Sequence, residues 1–119
     1  MVTKEAIDAA LSAHAQWKKR LQDAATIGQS EFKVEIVKKD NECQFGKWLY
    51  SLSQEEKKSD DFQKIKTLHA EFHSIAGEIL KLAISGQKAE ALKLLEFGGQ
   101  YGVLTGKLVL ALNNWRSKL

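Results

Sequence analysis

Proline is missing from this chain, and cysteine occurs only once, at position 43, in 119 residues. With no proline, nothing obliges a helix to stop or kink for want of a backbone donor, so long uninterrupted helices are favoured. A single cysteine excludes an internal disulfide and fits a reducing compartment, which points to the cytoplasm. No apolar run approaches the roughly 20 residues a bilayer span needs, and the N-terminus lacks the pattern of a signal peptide. Nor does charge of one sign dominate: 18 basic and 15 acidic residues leave a formal balance of +3. Mixed signs at helical spacing describe a solvated surface. The basic block interleaved with aromatics that nucleic acid requires is absent. At this length the chain is expected to be one domain, 1–119, with a modest core.

Residues 3–27 read as a helix. Ile7, Leu11, His14, Trp17, Leu21 and Ala24 recur at three- and four-residue steps, Thr3 suits the N-cap, and Gly28 supplies a stop. From 29 to 41 the pattern changes: Phe32, Val34 and Ile36 alternate with charged residues, which predicts an extended connection. Asp40 or Asn41 then caps a short helix over 42–52, with Cys43 in its first turn, where free N–H groups favour a thiolate. Residues 53–59 form a polar connector. Asp60 caps the third helix, a long one over 61–85, whose stripe is Phe62, Ile65, His69, Phe72, Ala76, Ile79 and Ala83, with His73 beside it. The last predicted helix, 88–115, carries Leu92, Leu95, Val103, Leu110 and Leu112. It also holds Gly98, Gly99, Gly102 and Gly106, each costing about 0.5–1 kcal/mol against alanine inside a helix. A smooth face for a close neighbour, or a break near Gly98-Gly99, would explain them. The expected architecture is all-α: an antiparallel four-helix bundle with three long helices and one short, and a dimeric assembly.

His14, Cys43, His69 and His73 are the complete inventory of imidazoles and thiols. His69 and His73 stand four residues apart, so a helix stacks them on one face. Taken singly, an inward histidine is more often a hydrogen-bonded core residue, and a buried cysteine a small hydrophobe. Two imidazoles on one buried face, however, would leave two half-satisfied polar groups. Three helices also each bring a candidate donor to the bundle interior, with none left over. Three nitrogens and one sulfur are what tetrahedral zinc prefers, one ion per chain, and a closed set of four is structural or regulatory. Glu71 is out of register for the general base of a His-Glu-x-x-His hydrolase, and no Ser/His/Asp set can be assembled without reusing these residues, so no enzyme is expected. A di-iron or metal-storage bundle is the alternative, but it needs inward carboxylates that the apolar stripes lack.

The segments His14-Ala15-Gln16-Trp17, Cys43-Gln44-Phe45-Gly46-Lys47-Trp48 and His69-Ala70-Glu71-Phe72-His73 resemble, in order and spacing, the signatures of the chemoreceptor zinc-binding (CZB) domain. The resemblance covers essentially the whole chain. It implies a four-helix fold with a zinc site of His14, Cys43, His69 and His73, packed by Trp17, Phe45, Gly46, Trp48 and Phe72. It also implies a homodimer in bacterial signal transduction, attached to chemoreceptor signalling helices or to a diguanylate cyclase for chemotaxis or cyclic-di-GMP control. The stimulus it implies is zinc, or an oxidant such as hypochlorous acid acting on Cys43. Neither output module is present in the sequence, so an excised domain or a stand-alone member working through a partner is expected.

Overall fold

A computed structural model of the chain describes residues 2–30, 32–41, 43–96 and 98–119. Helix α1 spans Lys4–Ile27. The Thr3 side chain accepts from the Ala6 N–H, and Gly28 closes the helix in the left-handed conformation at φ 80°. Helix α4 spans Asp60–Ile84 and begins one residue earlier than expected, because Ser59 and not Asp60 is the cap, accepting from the Phe62 N–H. Every residue of its predicted stripe is buried, as is His73. Around these two helices lie α2 (Val34–Val37), α3 (Gln44–Ser51), a 3-10 turn (Glu56–Lys58), α5 (Lys88–Leu95) and α6 (Gln100–Ser117). The fold is the expected all-α bundle.

Terminal contacts set the directions. Near the C-terminus of α6, Arg116 donates to Asp8 in the first turns of α1 (2.7 Å), and Lys118 pairs with Asp61 at the start of α4 (2.8 Å). The Val2 N–H also bonds to Glu56, just ahead of α4. Thus α6 runs antiparallel to both α1 and α4, which start at the same end. The segment between them must carry the chain back along the bundle, and it brings α2 and α3 across the flank of α1 and α4. This levels residue 14, about three turns into α1, with residues 69 and 73 in α4.

Three expectations are corrected. The connection 29–41 is not extended throughout, since Val34–Val37 form one helical turn that buries Val37. The short helix starts at Gln44 and its cap is Cys43 itself, whose sulfur accepts from the Gly46 N–H at 3.2 Å. The predicted start at Glu42 lies outside the described residues. Finally, residues 88–115 are two helices and not one. Gly98 takes φ 88°, a region L residues avoid, and a Cβ on Gly99 would come within 2.7 Å of the Leu94 carbonyl. The glycine pair therefore lets the chain turn over the end of α5 and restart. The inward face of α6 is Tyr101, Leu104, Leu108, Ala111, Leu112 and Trp115, while Val103 and Leu110, expected inside, are 49% and 62% exposed.

Candidate metal centre

Four donor groups from three elements meet in the bundle. His14 comes from the middle of α1, His69 and His73 from one face of α4, and Cys43 from the cap of α3. One donor atom from each lies within 4.8 Å of all the others. The imidazoles are almost fully enclosed, at 4%, 0% and 2% exposure, and Cys43 is half-buried. His69 Nε2 is 3.4 Å from Cys43 Sγ and 3.0 Å from His73 Nε2. Tetrahedral zinc with bonds of about 2.0 Å to nitrogen and 2.3 Å to sulfur separates its ligands by about 3.3–3.5 Å, so these contacts lie near ligand-to-ligand spacing.

The hydrogen bonds show which nitrogens are free. Backbone carbonyls only accept, so His14 Nδ1–H donates to Ala10 (2.7 Å) and His73 Nδ1–H donates to Val37 (2.8 Å). Each neutral ring then carries its lone pair on Nε2, pointing into the cluster. His14 Nε2 is buried there without a hydrogen-bond partner among the described residues. Leaving such an acceptor unpaired costs about 1–3 kcal/mol. A metal ion would satisfy it, and the carbonyls that hold the opposite nitrogen are the usual outer partners of a metal-bound imidazole. The residues present therefore fit a zinc ion, bound through three imidazoles and one thiolate.

Electrostatics favour the same state. Burial pushes the His14 pKa down to about 4, against the Ala10 hydrogen bond, which raises it. Burial, with the neighbouring His73 and His14, takes His69 down to about 2, and burial lowers His73 as well. All three rings are neutral at physiological pH and ready to bind a cation. Cys43 departs from the sequence expectation. The N–H groups of Gly46 and Phe45 do favour its thiolate, but burial outweighs them and raises the thiol pKa. The helix start alone does not ionise this sulfur; a bound cation would supply the missing stabilisation.

The surrounding residues divide into three sets. Phe45 and Phe72 pack edge-on against His14, with centroids 5.6 and 4.9 Å away, and Phe45 also meets His69 at 5.1 Å. Gly46 is indispensable by geometry, because a Cβ there would overlap the Asp40 carbonyl. Trp48 stacks on Phe45 and reaches Trp115 of α6 at 6.0 Å. Trp17 packs with Phe32 and Arg20. The sequence reading missed Ala10 and Val37, which act through backbone carbonyls and so leave no side-chain signal. It also missed Gly77, one turn beyond His73, where a Cβ would collide with Lys38. That glycine lets the crossing segment lie against α4, which delivers the Val37 carbonyl to His73.

Among the described residues this is the only grouping of its kind, and no carboxylate joins it. Among the described residues the di-iron alternative therefore lacks its carboxylate ligands. No helix among them is long and apolar enough to cross a membrane. Residues 14–80 match the family described as the chemoreceptor zinc-binding domain (CZB), a stretch that includes all four donors. No curated protein and no solved structure matches the chain. The chain belongs to the chemoreceptor zinc-binding domain family, and its cofactor is zinc, one ion fitting the four-donor cluster.

Proposed function

We propose that this chain is a zinc-dependent sensory domain in which His14, Cys43, His69 and His73 hold one zinc ion and Cys43 is the element that responds. The observation that carries the reading is the preset state of the cluster: two imidazoles have their protons committed to the Ala10 and Val37 carbonyls, leaving each Nε2 with a lone pair turned to the centre. Zinc, when bound, would hold Cys43 as a thiolate and join α1, α3 and α4. Four protein donors leave no open position for substrate, which favours a regulatory site over a catalytic one.

Cys43 has two structural jobs, as a member of the cluster and as the cap of α3. A thiolate sulfur attacks the chlorine of hypochlorous acid, forming an S–Cl bond and expelling hydroxide. Water then displaces chloride and releases a proton, giving sulfenic acid; sulfur loses two electrons and chlorine gains them. The oxidised sulfur is a poorer donor to the metal and a poorer cap, so α3 is released at its N-terminus. The Trp48–Trp115 contact transmits that shift to α6. The output passes to an attached or partner signalling module, such as receptor helices or a diguanylate cyclase, in the cytoplasm. Zinc level itself is the second stimulus of the same site.

A homodimer completes the proposal. The outer face of α6 exposes Val103, Val109 and Leu110 around Gly106, where a Cβ would meet nothing within 4 Å. A self-complementary two-fold contact would cover such a face. The sensory reading is tested by treating zinc-loaded protein with near-stoichiometric hypochlorous acid and following the cysteine by mass spectrometry and helix content by circular dichroism. Sulfenic acid at Cys43 with loss of helix signal is expected. An unmodified Cys43, or modification without a structural response, would leave a zinc site with no oxidant switch.

A further inference from the structure

Beside the cluster lies a cavity of about 360 Å³ that is partly open to solvent, and its lining includes both Cys43 and His73. The same lining includes Arg20, Lys39, Trp17 and Phe32. Arg20 is held in place, its guanidinium 5.0 Å from the Trp17 ring and 5.3 Å from the Phe32 ring, with a hydrogen bond to Gln16 at 3.2 Å. Lys39 is exposed and Arg20 half-buried, so both stand toward the solvent side while His73 is enclosed. Among the described residues neither cation is paired with a carboxylate, and no acidic side chain lines the cavity. Asp40, close enough to act on His73 and Cys43, accepts from the Tyr50 hydroxyl at 2.8 Å and is not part of the lining.

We propose that this cavity is a binding vestibule for small monoanions, with Arg20 and Lys39 drawing them in and the far wall presenting them to Cys43. A cleft with one sign of charge and apolar walls concentrates ligands of the opposite sign and repels its own. The ligand class is a small singly charged anion bearing an electrophilic or oxidising atom, of which hypochlorite is one member; neutral peroxide gains nothing from the two cations. The volume suits a group of a few heavy atoms and excludes a folded partner. The inference rests on the reading that Cys43 is the reacting ligand, and adds which reagents reach it and by what route.

Iodoacetate and iodoacetamide probe this directly, because they are nearly the same size and differ in charge. In both, the Cys43 sulfur forms an S–C bond as the C–I bond breaks and iodide leaves with the bonding pair. With one cysteine in the chain, alkylation reports only this site. Rates are measured on the zinc-loaded protein, and the iodoacetate-to-iodoacetamide ratio is compared with that of the same chain unfolded in urea. The vestibule predicts a ratio about tenfold higher in the folded protein, falling toward the unfolded value in 1 M salt and in an Arg20→Gln, Lys39→Gln variant that keeps its helix and zinc content. A folded ratio equal to the unfolded one, a preference that survives the double substitution, or a folded site inert to both reagents would overturn it. Zinc release and helix content, read in the same samples, report on sensing separately. Charge selectivity without zinc release would leave the vestibule standing and sink the switch; zinc release without selectivity would do the reverse.

Discussion

At the scale of single residues, the centre depends as much on glycine and on backbone carbonyls as on its four donors. Gly46 sits in helix α3, where alanine would ordinarily gain about 1 kcal/mol, yet a Cβ there would overlap the backbone of Asp40. Gly46→Ala should therefore destabilise the protein by about 3 kcal/mol and lower its zinc content, measured by denaturant unfolding and metal analysis. A neutral or stabilising effect would mean that α3 does not press on the preceding loop. The histidines give a pH signature. Their folded pKa values lie below the usual 6.5, so the unfolded chain takes up protons first as pH falls. In metal-free protein the stability from neutral, buried rings is complete above about pH 6.5 and declines below it, toward pH 4 for His14. The decline approaches about 1.4 kcal/mol per pH unit each for His14 and His69. Thermal melts of metal-free wild type against His14→Gln should show the shallower slope in the variant; identical slopes would place His14 in water. The grouping of these four side chains was legible in the sequence because imidazole and thiol are scarce and sit on apolar stripes. Ala10 and Val37 were not, since a carbonyl is common to every residue and only the fold selects which one faces a ring. The thiolate at Cys43 was overestimated for a related reason: the helix-start N–H groups are visible in the sequence, but the burial that opposes them is not.

At the scale of elements, helices α1 and α4 were legible to within a residue, because their stripes are long and α1 is marked by a cap at Thr3 and a stop at Gly28; the cap of α4 is Ser59, one residue before the Asp60 that the sequence suggested. The crossing segment was read less well. Val34–Val37 is a single turn whose alternating pattern resembles a strand, and Val37 is held by burial and by its bond to His73 more than by any local preference. The break between α5 and α6 was one of two explanations the sequence offered for its glycines, and periodicity alone did not choose between them. Apolar periodicity continues through 98–99, while the backbone turns because Gly98 can take a positive φ and Gly99 has no side chain to strike the end of α5. Gly99→Ala should destabilise the protein by about 1–3 kcal/mol while leaving zinc content intact, because this junction lies outside the four-donor cluster. Loss of zinc with loss of stability in that variant would instead couple the junction to the metal centre.

At the scale of the whole molecule, the cluster is where α1, α3 and α4 converge, so metal binding and folding share free energy. The exposed apolar residues Val103, Val109 and Leu110 belong to α6, outside that convergence, and the proposed dimer would use them. Light scattering of the zinc-loaded protein at micromolar concentration should give twice the 13.3 kDa chain mass, and Leu110→Glu should return it to one; a monomer throughout would remove the dimer. The central claim is that His14, Cys43, His69 and His73 together hold one zinc ion. It is tested most directly by metal analysis of protein purified without added metal, for wild type and for a His69→Ala, Cys43→Ala double variant. Zinc near one per wild-type chain, falling to a small fraction in the double variant with a matching loss of thermal stability, is the predicted result. Full zinc occupancy in the double variant, or two irons in the wild type, would contradict it.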